Sequence, residues 1–360
     1  MVRKLSNGPS RSAVLSKSSN GRRSEFQMID EIRSRSEGSA RGLVLGIGDD
    51  CAVLRQRNGN DTVITADLLI EDIDFRLEYT SPELLGHKSL AVSLSDIASM
   101  GAKARWAMLS VGIPGGLWRS KFLDRFYDGF FELAARHGVK LIGGDISRTP
   151  DGVVVDSIVM GEILEGRALQ RSGAKPGDII FVTGSLGGAA AGLRMLQEGH
   201  RLSKRRARSK VARSRENLLK RQLAPEPRSE LGIWLAKRQL ATAMIDISDG
   251  LSSDLAHICE ASGVGAVVDE TRIPIDEGMY AFTSDPEEHM ELALNGGEDF
   301  ELLFTVKPRK AKALGAVLGG VRITEIGRIT DSERQIDAVQ KDGAVKALRA
   351  SGFEHFRERV

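Results

Sequence analysis

Four glycine-rich segments of this chain carry carboxylates at their ends: Gly46-Ile47-Gly48-Asp49-Asp50, Gly143-Gly144-Asp145, Asp246-Ile247-Ser248-Asp249-Gly250 and Gly296-Gly297-Glu298-Asp299. Asp67 and Asp96 follow or sit inside apolar stretches. Glycine lets a backbone approach a ligand closely, and a neighbouring carboxylate can hold a hard cation. Taken singly, an aspartate beside glycine makes a turn or caps a helix; four such segments together read as a site for several Mg²⁺ ions and a polyphosphate. Asp96 lies mid-helix among Ala91, Val92, Leu94, Ile97 and Ala98, where no cap is needed, and a buried carboxylate there requires a partner such as a cation. Asp246 and Asp249 are spaced i, i+3 around Ser248, so a helical start would set both on one side and let Ser248 contact a phosphate.

No GxxxxGK[ST] occurs, and Gly184-Ser185-Leu186-Gly187-Gly188 fails the GxGxxG spacing of a dinucleotide turn. The six histidines show no ligand spacing, and none sits in an acidic-glycine motif. A missing general base is weak support for an acceptor that is itself a phosphate, already nucleophilic at neutral pH with a second pKa of about 6. Positioning and charge neutralisation would then suffice.

The elements that position these residues are partly legible. A helix is expected from about Glu25 to Arg35, and a strand over Thr62–Ala66 that ends at Asp67. Ser81-Pro82-Glu83 reads as a helix start, running to Met100 with Gly101 beyond its end. Strands are expected over Arg105–Ile113, Val139–Ile142 (delivering Gly143-Gly144-Asp145), Val153–Leu164, Asp178–Thr183, Ala266–Val268, Glu301–Val306 and Arg322–Ile329. Helices are expected over Leu117–His137, from Gly188 to about Gln197, and over Arg228–Gln239 and Ser252–Ala261. The pattern is α/β of the α+β type in two halves, without the even alternation of a doubly wound sheet.

A chain of 360 residues favours two domains. The boundary falls near residue 164, giving a tail (1–23), an N-terminal domain (24–163) and a C-terminal domain (164–360). Hydrophobic residues make up 41%, and no run approaches the ~20 apolar residues of a membrane helix. Cys51 and Cys259 have no CxxC or CxxH context, which suits a reducing cytoplasm. The net charge of +2 hides an asymmetry: residues 1–24 carry six Lys/Arg and residues 201–215 eight, neither with an acid. Removing these 14 from the 51 basic residues leaves 37 against 49 acidic, so the body is acidic. The tail reads as a disordered extension, preferred over an organellar transit peptide. The 201–215 run reads as a solvated loop rather than a nucleic-acid surface, because no aromatics interleave for base stacking.

The motifs, in this order, resemble the thiamine-monophosphate kinases of the aminoimidazole-ribonucleotide-synthetase-like superfamily. The resemblance is carried by Ser24–Phe26, Leu45–Ala52, Thr65–Asp67, Lys88–Gly101, Leu141–Asp145, Arg171–Asp178, Ile245–Leu251 and Gly296–Leu302, and covers residue 24 to the C-terminus. It implies transfer of the γ-phosphoryl group of ATP to thiamine monophosphate, the final step of thiamine diphosphate biosynthesis, by direct in-line displacement with several Mg²⁺ ions. It also implies a homodimer whose N-terminal halves form a β-barrel-like core. Carried over residue by residue, Asp50, Thr65, Asp67, Asp96, Asp145, Asp246 and Asp249 would serve Mg²⁺, with Asp145 and Asp249 as the catalytic pair. Gly144, Arg171 and Ser248 would meet ATP. Glu298 would contact the thiamine moiety and Phe353 would stack on it. Asp74 stands where many members carry a substrate-side histidine, and Ala66 where a hydroxyl residue is common. Rival expectations are another enzyme of the superfamily with a different acceptor and, from a different class, a nucleic-acid-binding protein using the basic segments.

Overall fold

The computed structural model describes residues 24–36, 38, 40–203 and 207–355. The basic tail, Lys204, Arg205 and Arg206 lie outside the described residues. Two compact units result. One contains α1 (Glu25–Arg35), closed at its start by a capping box between Ser24 and Gln27, together with Glu354 and His355, whose amide donates to Glu25 Oε2 at 3.1 Å. The other spans Ser39–Phe353 and holds two sheets.

The first half is a six-stranded sheet in the order β1-β2-β3-β6-β4-β5. Its strands are β1 (Leu43–Leu45), β2 (Ala52–Arg55), β3 (Asn60–Ile70), β4 (Lys103–Pro114), β5 (Lys140–Thr149) and β6 (Val154–Leu164). Only β4 and β5 run parallel; β5 is an edge strand, exposed along most of its length. Two helices, α2 (Pro82–Ser99) and α4 (Phe122–His137), enclose a common apolar core with this sheet, and a single turn, α3 (Gly115–Trp118), precedes α4. The pair α2 and α4 meets at Gly86 and Gly129, where a Cβ would fall 1.9 Å from Phe126 O and Glu83 O respectively. On the other face of the sheet Leu68, Ile70 and Met108 are exposed. Among the described residues this sheet remains open rather than closed into a barrel.

The second half is mostly antiparallel, in the order β14-β13-β9-β12-β7-β10-β8, with β11 paired to β12. The strands are β7 (Ile179–Thr183), β8 (Ala241–Asp246), β9 (Gly265–Asp269), β10 (Leu302–Val306), β11 (Val317–Leu318), β12 (Val321–Thr330), β13 (Ile336–Val339) and β14 (Val345–Ala347). Helices α5 (Gly188–Gln197), α6 (Lys210–Leu223), α7 (Ser229–Arg238), α8 (Leu251–Ser262), α9 (Pro286–Asn295) and the single turn α10 (Pro308–Ala311) accompany it. Strands β7 and β10 are buried at every position, which removes the alternation that sequence reading depends on. This is the expected α+β class, with two mixed sheets and no doubly wound core.

Three local expectations are corrected. Asp67 lies within β3 rather than at its end. Gly143-Gly144-Asp145 lies inside β5, not in a loop beyond a short strand. The basic run continues into a regular helix, α6, capped by Ser209, because Val211, Leu218, Leu219 and Leu223 supply apolar positions at helical spacing.

Candidate active site

Helix α2 runs beside the acids and presents a hydroxyl to each of three aspartates. Ser93 Oγ donates to Asp67 Oδ2 at 2.6 Å, Ser95 Oγ to Asp246 Oδ2 at 2.5 Å, and Ser99 Oγ to Asp50 Oδ2. Asp96, on the same helix, accepts from Thr65 Oγ1 of β3 at 2.5 Å. Thr65 and Asp67 face α2 because they are two apart on a strand, which turns Ala66 to the opposite, exposed side. Asp246, the last residue of β8, comes from the other half of the chain. Asp50, Thr65, Asp67, Asp96 and Asp246 thus converge.

The electrostatics follow from that convergence. Burial, then repulsion from Asp50, pushes the Asp49 carboxyl up to about 7. Asp67 rises to about 6, mainly through burial and despite the bond from Ser93. Asp246 rises to about 8 through burial and Asp50, and Asp96 is driven well above the carboxylate range by burial, Asp67, Asp246 and Asp50. Among the described residues one cation faces them: Arg171 donates from Nε at 2.8 Å and from Nη2 at 2.5 Å to Asp50 Oδ1, and from its amide to Asp49 Oδ2 at 3.1 Å. One guanidinium cannot offset five carboxylates in a buried setting. An all-oxygen donor set of this kind fits hard divalent cations, so these residues suit Mg²⁺.

The expected i, i+3 helical pairing of Asp246 and Asp249 is not made, because α8 begins only at Leu251. Asp249 instead joins Asp254 and His257, whose ligand atoms lie within 4.8 Å of one another. Asp254 is buried and accepts from the amides of Asp249 and Gly250 at 3.2 and 3.0 Å. Burial and Arg171 lower His257 to about 4, so its ring is neutral at physiological pH. The histidines looked inert by spacing alone; His257 is brought beside Asp254 by one turn of α8 and beside Asp249 by the loop that leads into that helix.

Two expected residues stand apart. Gly144 pairs with Leu109 on β4, Leu109 with Ser157 on β6, and Ser157 with Asp67 on β3. Three strand spacings of about 4.8 Å place Gly144 about 14 Å from Asp67. Asp145, the next residue, is exposed on β5 and does not join the aspartate cluster. The backbone at Gly144 takes φ 147°, and a Cβ would fall 1.9 Å from Leu109 O, so only glycine fits there.

The last motif forms a separate corner. Glu298 adopts a left-handed backbone, φ 66°, and its amide donates to Ser248 O at 2.8 Å. Phe353, 42% exposed, donates its amide to Asp249 O at 3.1 Å, so both expected acceptor-site residues hang from the Ser248–Asp249 backbone. Lys88 Nζ lies 2.6 Å from Glu298 Oε1 and 3.4 Å from Asp74 O. The Asp74 carboxylate accepts from Ile70 N at 2.8 Å, in the turn that follows β3. Asp299 accepts from the amides of Gly187 and Ala189 at the start of α5, and Glu301 binds Arg221, Arg228 and Thr183.

Comparison with known proteins matches this geometry to a class. Residues 48–163 match the AIR synthase related protein, N-terminal domain, and residues 175–339 the AIR synthase related protein, C-terminal domain. The thiamine-monophosphate kinase of Escherichia coli (strain K12) is 39% identical over 334 residues, covering 92% of this chain and 98% of that protein. That of Bacillus subtilis (strain 168) is 36% identical over 338 residues, covering 92% and 99%. The crystal structure of thiamine-monophosphate kinase from Stenotrophomonas maltophilia K279a, at 39% identity, superposes with a TM-score of 0.72 over 89% of this chain and 96% of that one. A structure of AaThiL complexed with AMPPCP and TMP, at 29% identity, gives 0.78 over 92% and 97%. Within the AIR synthase related class, the chain belongs to the thiamine-monophosphate kinase family.

Proposed function

We propose that this chain transfers the γ-phosphoryl group of ATP to thiamine monophosphate, forming thiamine diphosphate, with Mg²⁺ and by direct in-line displacement. The observation that carries this reading is the convergent set of buried Asp50 and Asp246 with half-buried Asp67 and Asp96, drawn from both halves and oriented by Thr65, Ser93, Ser95 and Ser99. These carboxylates and Asp249 would hold the cations. Bound Mg²⁺ supplies neutralisation of phosphoryl oxygens and orientation of the two phosphates. Arg171 and Ser248 border the same acids and would meet ATP. Gly144 and Asp145 on the β5 edge would approach it from the other side, Asp145 forming a catalytic pair with Asp249. Glu298, Phe353 and the Asp74 turn would form the acceptor subsite.

The exposed apolar face of Leu68, Ile70 and Met108, beside the open β5 edge, supports a homodimer in which a second copy covers it and the two sheets form the barrel-like core. The bounds of the matched domain models support the division at residues 163/164. The two free, buried cysteines support a cytoplasmic location.

The test is ADP release from ATP and Mg²⁺ in the presence of thiamine monophosphate, thiamine or no acceptor. Release that requires thiamine monophosphate and yields thiamine diphosphate is expected. Release independent of acceptor, or none, would overturn the reading.

A further inference from the structure

Lys88 is the one buried lysine among the described residues, 2% exposed on a helix otherwise packed with Leu85, Leu90 and Leu94. Its ammonium has three protons to place; Glu298 Oε1 takes one at 2.6 Å and Asp74 O lies at 3.4 Å. The other Glu298 oxygen, Oε2, accepts from Nε2 of Gln222, buried on α6. Each oxygen of this carboxylate is therefore held by a donor from a different helix. Its side chain nevertheless keeps an open side, at 29% exposure.

An ion pair that merely anchored residues 296–301 would be redundant. That segment is already fixed at its neighbouring acids: Asp299 caps α5 and binds Arg221, and Glu301 is held by Arg221, Arg228 and Thr183. Glu298 also sits at φ 66°, a conformation that costs a non-glycine residue free energy and persists where surrounding structure demands it. The backbone at Glu298 is held by its amide's bond to Ser248 O, whereas the two-helix grip acts on the carboxylate itself.

We propose that Lys88 and Gln222 are positioning residues that hold the Glu298 carboxylate in one orientation for the acceptor, a cationic thiazolium linked to an aminopyrimidine whose amino group can donate to a carboxylate. The inference rests on the acceptor assigned above. It makes α2 bifunctional: Ser93, Ser95 and Ser99 orient the metal-binding acids, and Lys88, near its start, orients the acceptor-binding acid.

The experiment measures steady-state kinetics and direct thiamine monophosphate binding for the wild type, Lys88→Met, Gln222→Met, Glu298→Gln and the two double variants with Glu298→Gln. Each single variant should raise the KM for thiamine monophosphate about tenfold, the worth of one hydrogen bond to a charged group. The kcat should stay within about threefold and the KM for ATP unchanged, the signature of lost ground-state binding. Lys88→Met and Gln222→Met should add nothing in the Glu298→Gln background, since they act through that carboxylate. Gln222→Met also removes a buried carbonyl oxygen, Oε1, that has no partner, which offsets part of the loss of the bond to Glu298, so its thermal midpoint should fall little. Effects that add fully to Glu298→Gln, or an unchanged KM with lowered stability, would overturn the clamp. A wild type that neither binds nor turns over thiamine monophosphate would overturn the acceptor assignment and the clamp with it.

Discussion

At the scale of single residues, the chemistry of the site was legible as a set of acids but not as a set of partners. The glycine-flanked carboxylates and the mid-helix Asp96 all announce themselves by context. Ser93, Ser95 and Ser99 do not, because a serine in a small-residue helix looks like packing until the helix face is known. Asp254 and His257 were missed for a similar reason: they share a site with Asp249 only once α8 begins at Leu251. The raised carboxyls give a signed prediction. A carboxyl whose folded-state pKa lies above its unfolded value binds protons more tightly in the native state, so ionising it lowers stability. The loss starts near the unfolded carboxyl value of about 4 and is complete at the folded values, about 7 for Asp49 and about 8 for Asp246; His257, lowered to about 4, acts with the opposite sign only below about pH 6.5, so the net fall is unmasked from there to about pH 8. The thermal midpoint of the metal-free protein should therefore fall across this window. Saturating Mg²⁺, which replaces those protons, should flatten the fall and bind more tightly as pH rises. A flat metal-free profile would contradict the cluster as described.

At the scale of elements, local signals located α1 and α2 to within a residue, because capping chemistry marks them: Ser24 with Gln27, and Ser81 with Pro82. The Gly-Gly-Asp turn foreseen after Val139–Ile142 failed because glycine permits a turn without requiring one, and pairing with β4 extends β5 to Thr149. Helix α6 was hidden by its charge, since eight basic residues in fifteen read as solvated chain. The position of α2 is fixed from two sides, by α4 at Gly86 and by α7 at Gly232, where a Cβ would fall 2.0 Å from Ala98 O. Gly232→Ala should drive α7 away from α2 and cost about 1–3 kcal/mol, as overpacking usually does. It should also weaken Mg²⁺ binding, although residue 232 carries no ligand, because α2 carries Asp96 and the three serines. Urea denaturation and Mg²⁺ titration read both effects; unchanged values would mean that the helix contact relaxes freely.

At the scale of the whole molecule, the six-stranded sheet is finished on one face only. Leu68→Glu or Met108→Glu, placed on the bare apolar face, should convert the proposed dimer into a monomer by sedimentation and lower activity in parallel. A dimer that survives both changes would move the interface elsewhere. The tail and the 201–215 run shift the net charge by fourteen. A last consequence concerns inheritance. The two matched domain models meet between residues 163 and 175, which invites the view of two modules joined by recombination. The contacts argue otherwise: Ser95 belongs to one module and its aspartate, Asp246, to the other, and Ala98 rests on a glycine that only the second module can supply. Exchanging either half for one that lacks these residues would break a hydrogen bond and a helix crossing at once. The two modules must therefore diverge in step, and a chimaera would work only where both contacts were carried across the joint together.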